Sequence, residues 1–191
     1  MIRLVQLFRS YRKREDGVLS TEAAMIMPML LFAYLGLFTF YDAFRTQNIN
    51  VRASYTISDM LTRETDCVDE TYIAGLNDIL AVLTQSQYPT ILRVTAVTYE
   101  EDDDELEFQW SDVDGGTGGI VEYTEATFGE LFDEIPTMAD EDMAIIVETW
   151  SGFVPIFEFG VQAFYFENLV VTRPRFGQLV KWDDGTTPGC T

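Results

Sequence analysis

The sequence has 191 residues, 47% hydrophobic and 14% aromatic, which is enough for one domain with a core and a short additional element. Its 12 basic and 32 acidic residues give a net charge of −20, which argues against binding a nucleic-acid backbone. Histidine is absent, so Ser-His-Asp triads and histidine zinc sites are excluded, and two cysteines alone build no zinc or iron–sulfur site. We therefore expect neither an enzyme nor a cofactor.

The charge changes sign across an apolar segment near the N-terminus. Residues 1–16 carry a net charge of +3, and residues 45–191 carry a net charge of −21. Between these blocks, residues 23–41 form an uncharged run that as a helix would span about 28 Å, close to the hydrocarbon thickness of a bilayer. Since basic residues stay on the cytoplasmic side, we predict one membrane span with a cytoplasmic N-terminus and an exported acidic domain.

Other interpretations of the apolar run are less well supported. A cleaved secretory signal requires a small-residue site after the run, and residues 42–48 offer none. A lipoprotein signal requires a cysteine near the end of the run, and none lies there. The uncharged run is also longer than the apolar stretch of a usual buried core helix. An uncleaved anchor remains an alternative.

The segment before the run, RKREDGVLSTE at residues 12–22, combines a charged leader, a glycine and a carboxylate at the edge of the apolar helix. This arrangement resembles the type IV prepilins, in which a membrane peptidase cuts after the glycine and the fifth residue of the mature chain is glutamate. The resemblance implies cleavage between Gly17 and Val18 and a cytoplasmic leader at residues 1–17. It also implies that Glu22 neutralises the new N-terminal ammonium during assembly.

Three further segments indicate which branch of the prepilin family the chain resembles. They are GVLSTEAAMIMP at residues 17–28, RASYTISDMLTRE at residues 52–64 and RPRF at residues 173–176. They are similar to TadE-like pseudopilins of the tight-adherence (Flp) pilus, with TadF and TadG proteins as alternatives. A mature chain of 174 residues fits a minor subunit better than a major pilin. The resemblance implies a bacterial inner-membrane protein whose domain lies in the periplasm or in a surface pilus. Its implied partners are a prepilin peptidase, other pilin or pseudopilin subunits and the inner-membrane assembly machinery.

Helical periodicity continues beyond the predicted span. An apolar stripe predicts one helix over residues 18–64, with Pro28 suggesting a kink; the stripe consists of Ile49, Ala53, Ile57 and Met60/Leu61. Ile73, Leu76, Leu80 and Leu83 predict a second helix at Glu70–Thr84.

The rest of the exported domain, within residues 65–191, has the pattern of strands. We predict a short helix around residues 128–132 and four strands, at Leu92–Tyr99, Leu106–Trp110, Ala144–Trp150 and Val161–Thr172. The predicted fold is α+β: a long N-terminal transmembrane helix that continues into a pilin-like domain with a second helix and an antiparallel sheet of about four strands.

Six consecutive carboxylates at residues 100–105 separate two predicted strands, and we interpret them as a solvated loop. Calcium is the alternative, because hard cations prefer clustered oxygen ligands. The weak candidates are Asp102, Asp103, Asp104, Asp112 and Asp114, whose spacing matches no calcium loop, so we expect no metal site.

Cys67 and Cys190 both lie in the predicted exported part. Because that compartment is oxidising, we predict a disulfide between them, with two free thiols as the alternative. The sequence as a whole predicts a minor pilin-like subunit. The alternative is a single-pass bitopic protein whose acidic extracytoplasmic domain binds a partner or acts as a calcium-dependent adhesin.

Overall fold

A computed structural model describes residues 16–100, 105–115, 119–157, 160–176, 179–185 and 190. The elements are, in chain order, α1 (Asp16–Thr62), α2 (Glu70–Thr84), β1 (Ile91–Glu100), β2 (Glu105–Asp114), a 3₁₀-helix (Phe128–Glu134), β3 (Met143–Phe153) and β4 (Phe164–Thr172). The α+β fold with two helices and a four-stranded antiparallel sheet is confirmed.

Helix α1 is one continuous helix of 47 residues that includes Pro28. Its outer half packs against α2, β3 and β4. Ala53, Ile57 and Leu61 of the predicted stripe are buried, whereas Ile49 is half-buried and Met60 is exposed. A second buried row, at a spacing of four residues, consists of polar side chains that an apolar pattern does not detect: Asn50, Ser54, Ser58 and Thr62.

Helix α2 has the predicted bounds because both ends carry local signals. The Asp69 carboxylate accepts a hydrogen bond of 2.7 Å from the Tyr72 backbone N–H, which caps the N-terminus. Gln85 adopts a left-handed conformation at the C-terminus, with φ of 51°. Leu83 keeps the helical spacing from which α2 was predicted but is exposed, whereas Asn77 is buried.

The sheet has the strand order β2-β1-β3-β4, and all neighbouring strands are antiparallel. All four predicted strands are present, but β4 begins at Phe164 rather than at Val161. The register between β1 and β2 shifts at Ala96 and Val97.

A core lies on each face of the sheet. One face packs on the two helices through residues such as Leu92, Val94 and Val147. The other face is covered by the 3₁₀-helix and the residues after it, through Phe128, Leu131 and Met138 among others. The domain therefore buries both sides of its central strands.

Strand β4 runs in the same direction as α1, and this defines two ends of the domain. At one end, the ring of Phe157 lies 6.4 Å from the ring of Phe38 in the apolar half of α1. At the other end, the Arg175 backbone N–H donates a hydrogen bond of 2.9 Å to the Thr62 carbonyl. We call these the anchor-proximal end and the distal end.

Candidate functional site along the N-terminal helix

The inner half of α1 is apolar and uncovered. Every residue from Ser20 to Tyr34 is exposed, and Met25 and Met29 are among the large apolar side chains without a covering layer. Among the described residues, α1 is the one helix that is long and apolar enough to cross a membrane. Its length and composition are therefore those of a membrane anchor.

The predicted processing site lies in the first turn of α1. The structure describes Gly17 and Val18 as helical backbone, and the side chain of Glu22 is exposed one turn further along. Residues four apart share a face of a helix, so the Glu22 carboxylate lies on the same face as Val18. Helix ends unwind readily, so helical backbone in this terminal turn is compatible with the predicted cleavage site.

The outer half of α1 docks on the sheet through a polar layer. The Ser54 hydroxyl lies 2.6 Å from the Thr149 hydroxyl of β3 and donates to the Asn50 carbonyl at 2.8 Å. The side chains of Asn50, Ser151 and Asn168 each hold at least one buried polar atom that has no hydrogen-bond partner in the described structure. Unpaired buried polar groups weaken packing, so this contact is weaker than an apolar one of equal area.

Cys67 and Cys190 form a disulfide, which confirms the predicted pairing. The bond joins residues 123 positions apart, with 5.4 Å between their Cα atoms. Next to it, Val68 forms a parallel bridge with Trp182: its N–H donates to the Lys181 carbonyl and its carbonyl accepts from the Asp183 N–H, both at 2.8 Å. The C-terminal segment is thereby attached to the connection between α1 and α2.

Two of the five calcium candidates lie among the described residues. Asp112 and Asp114 are on β2, and Asp114 accepts a hydrogen bond of 2.6 Å from the Asn77 side-chain amide. Within the described ranges, no group of three or more acidic, cysteine or histidine side chains is arranged to hold a metal ion. Asp102, Asp103 and Asp104 lie outside the described residues.

Two ionisable groups near the α1–α2 connection and on β2 have perturbed pKa values. Burial raises the pKa of Asp112, and the charges of Glu70 and Glu122 raise it further. Burial also raises the pKa of Tyr72 to about 12, together with the charge of Glu64 and the hydrogen bond to it. Tyr72 therefore stays protonated, and Asp112 takes up a proton more readily than an ordinary carboxylate.

The sequence analysis missed a buried ion pair between two strands. Arg93 of β1 donates two hydrogen bonds, of 2.6 and 2.7 Å, to the carboxylate of Glu148 on β3. The guanidinium also donates to the Tyr123 hydroxyl at 2.9 Å and to the Val121 carbonyl at 3.0 Å. One signal was available: Arg93 is the only basic residue between positions 64 and 172, and it lies within a predicted strand.

The fold and the helix together define an α+β domain carried on a single long N-terminal helix with an uncovered apolar half. Comparison with protein-family models, with curated proteins and with solved structures finds no match.

Proposed function

We propose that this protein is a TadE-like minor pilin subunit, anchored in the bacterial inner membrane and matured by a prepilin peptidase for assembly into a tight-adherence pilus. The observation that carries the proposal is the division of α1. Its inner half exposes apolar side chains in every direction, while its outer half is docked on the domain. Exposure of such a continuous apolar surface to water is unfavourable, whereas a bilayer or a bundle of similar helices would bury it.

The position of Glu22 supports this assignment over a plain anchor. Glu22 lies at the edge of the apolar run, where an ionisable group next to the hydrocarbon region is costly unless it has a partner. Removal of residues 1–17 places an ammonium on Val18, one helical turn from the Glu22 carboxylate and on the same face. That carboxylate neutralises the ammonium of its own chain or of a neighbouring subunit in a packed helix bundle.

The disulfide supports an exported domain. Structural disulfides persist in oxidising compartments and are rare in the cytoplasm, and this one attaches the C-terminal segment to the base of α2. With the basic residues on the other side of the apolar run, it favours a cytoplasmic N-terminus and a domain outside the membrane.

Processing is tested by sequencing the N-terminus of the protein isolated from its host membranes. We expect the mature chain to begin at Val18, and Gly17→Trp to leave the precursor intact because a bulky side chain keeps the backbone from the peptidase. Gly75→Trp is the matched control, because open space surrounds that glycine on α2. A wild-type chain that keeps its leader would favour a single-pass anchor with a partner-binding domain.

Topology is tested separately, with a reporter fused after Thr191. Alkaline phosphatase at that position should be active, because the +3 leader and the −21 domain flank the span. A reporter that works only in the cytoplasm should be inactive at the same place. The reverse pattern would contradict both the pilin assignment and the plain-anchor alternative.

A further inference from the structure

The connection between β3 and β4 contacts α1 inside the predicted span. Phe157 packs edge-on against Phe38, which lies three residues before Tyr41, where the uncharged run ends. At about 1.5 Å per helical residue, the contact lies about 4–5 Å below the outer end of the span. Thr39 is only 2% exposed, so part of the chain covers α1 at this depth. This connection therefore reaches the level of the lipid interface.

The connection between α2 and β1 lies at the same end of the domain. The Ser86 hydroxyl donates a hydrogen bond of 3.3 Å to the Gly152 carbonyl at the end of β3. The ring of Tyr88 lies 6.1 Å from the ring of Tyr165 at the start of β4. The two connections, the last turn of α2 and the start of β4 bring exposed apolar side chains to this end of the domain. We call them the proximal apolar surface, which consists of Val82, Tyr88, Ile156, Phe157, Phe164 and Tyr165.

Charge is nearly absent from the segments that build this surface. Residues 79–92 contain no charged side chain and residues 149–166 contain only Glu158, in a chain that is 23% charged. Glu100 at the end of β1 pairs with Glu105 at the start of β2 at the distal end, and Asp140, Glu141 and Asp142 precede β3 there. The domain is therefore polarised, with its carboxylates concentrated away from α1's apolar half.

Two described carboxylates, Asp42 one helical turn after Phe38 and Glu167 on β4, lie on the α1 side of the domain, and two more lie at the other edge of the sheet. Asp112 and Asp114 belong to β2, whereas α1 packs on β3 and β4, two and three positions along the strand order. The Asp114 carboxylate is also bound by the Asn77 amide. Neither Asp112 nor Asp114 lies on the side of the domain that adjoins the membrane span.

We propose that the proximal apolar surface docks on the outer interface of the bilayer, so that the domain rests on the lipid as well as being tethered by α1. Tyrosine and phenylalanine are favoured at this interface, where an apolar ring meets the headgroup region. The occupant is lipid because the surface continues directly from the span through the Phe38–Phe157 contact. The inference rests on the membrane anchoring proposed above and on no step of pilus assembly.

The test uses the full-length chain reconstituted into zwitterionic phosphatidylcholine vesicles, since its net charge of −20 would repel anionic lipid. The fluorophore NBD is attached to single introduced cysteines, and non-reducing peptide mapping confirms that Cys67 and Cys190 remain joined. Ile156→Cys and Val82→Cys report the proximal apolar surface at two independent positions. Phe176→Cys is the matched control, because Phe176 is 71% exposed at the distal end and Ile156 is 66% exposed.

We expect nitroxides near the lipid headgroups to quench positions 156 and 82, and aqueous iodide to quench position 176. A probe at Leu31→Cys, in the middle of the span, should be quenched by nitroxides near the acyl-chain ends. If position 31 is quenched and position 156 behaves like position 176, docking is refuted while the anchor stands. Protection of position 156 from iodide without nitroxide quenching would mean that a second copy covers it, which also refutes docking. An unquenched position 31 would refute the anchor as well.

Discussion

The guanidinium of Arg93 and the carboxylate of Glu148 form a bidentate pair in the middle of the sheet, with only 11% and 4% of their side chains exposed. Arg93 lies directly opposite Glu148 in the pairing of β1 with β3. The guanidinium also stacks on the Tyr123 ring at 3.9 Å. The pair therefore joins the two central strands to the segment before the 3₁₀-helix, whose Tyr123 packs against the core on that face of the sheet.

Arg93→Met should lower the free energy of unfolding by about 3–5 kcal/mol, because it leaves the buried Glu148 carboxylate without its partner. Arg93→Met combined with Glu148→Leu should recover much of that loss, since the unpaired charge is then removed. The measurement is urea unfolding of the full chain in detergent, followed by tryptophan fluorescence. Arg63→Met is the control: its pair with Asp59 is largely exposed, so about 1 kcal/mol or less is expected. Equal losses for the two single variants would contradict the role given to the buried pair.

The disulfide should be closed in the native protein and should stabilise it. Alkylation of the unreduced, denatured protein is expected to label neither Cys67 nor Cys190. Cys67→Ser should lower stability by about 2–5 kcal/mol, since the bond closes a long loop of the unfolded chain. Cys190→Ser and the double variant should show the same loss, because all three remove one bond. Full labelling of both thiols would contradict the pairing.

Asp112→Asn should raise the melting temperature at neutral pH. The pKa of Asp112 is raised in the folded chain, so its ionised form opposes folding, and stability falls as pH rises through the folded pKa. The advantage of the variant should shrink as pH falls through the folded-state pKa and should vanish below about pH 4, the ordinary carboxyl pKa, where Asp112 is protonated in both states. Asp78→Asn is the control, because Asp78 is exposed on α2 and its replacement should change the melting temperature little at any pH. If the gain in melting temperature of Asp112→Asn is the same at every pH, the charge of Asp112 is not its cause.

Glu22→Ala should still be cut after Gly17 yet fail to assemble. In a packed helix bundle, the Val18 ammonium would lose its partner, and breaking such a desolvated pair costs about 3–5 kcal/mol. The ratio of mature to precursor chain on a gel and the number of pili are scored in the same strains. Asp42→Ala is the control, because Asp42 is the first charge beyond the other end of the span and should be dispensable. Full piliation by Glu22→Ala would favour the plain anchor.

Local patterns in the sequence predicted most of the elements. The bounds of α2 were predicted at Glu70–Thr84 from apolar spacing alone, and the structure shows in addition that Asp69 caps its start. Strand β4 was predicted to begin at Val161, but only from Phe164 onward does it find a partner in β3. A segment rich in strand-forming residues does not by itself show where the strand begins, because backbone pairing depends on the neighbouring strand.

By itself, the sequence determined the anchor-like helix, its charge asymmetry, the α+β class and the presence of two cysteines in the same predicted compartment, because these follow from composition and periodicity. Tertiary structure alone decided the strand order, the Arg93–Glu148 pair, the polar row beginning at Asn50 and the contact between Phe38 and Phe157. These features depend on contacts between residues that are distant in the chain. The local sequence pattern around one residue does not specify its distant partner. Arg93 and Ser54 are buried because β3 supplies Glu148 and Thr149 as their partners.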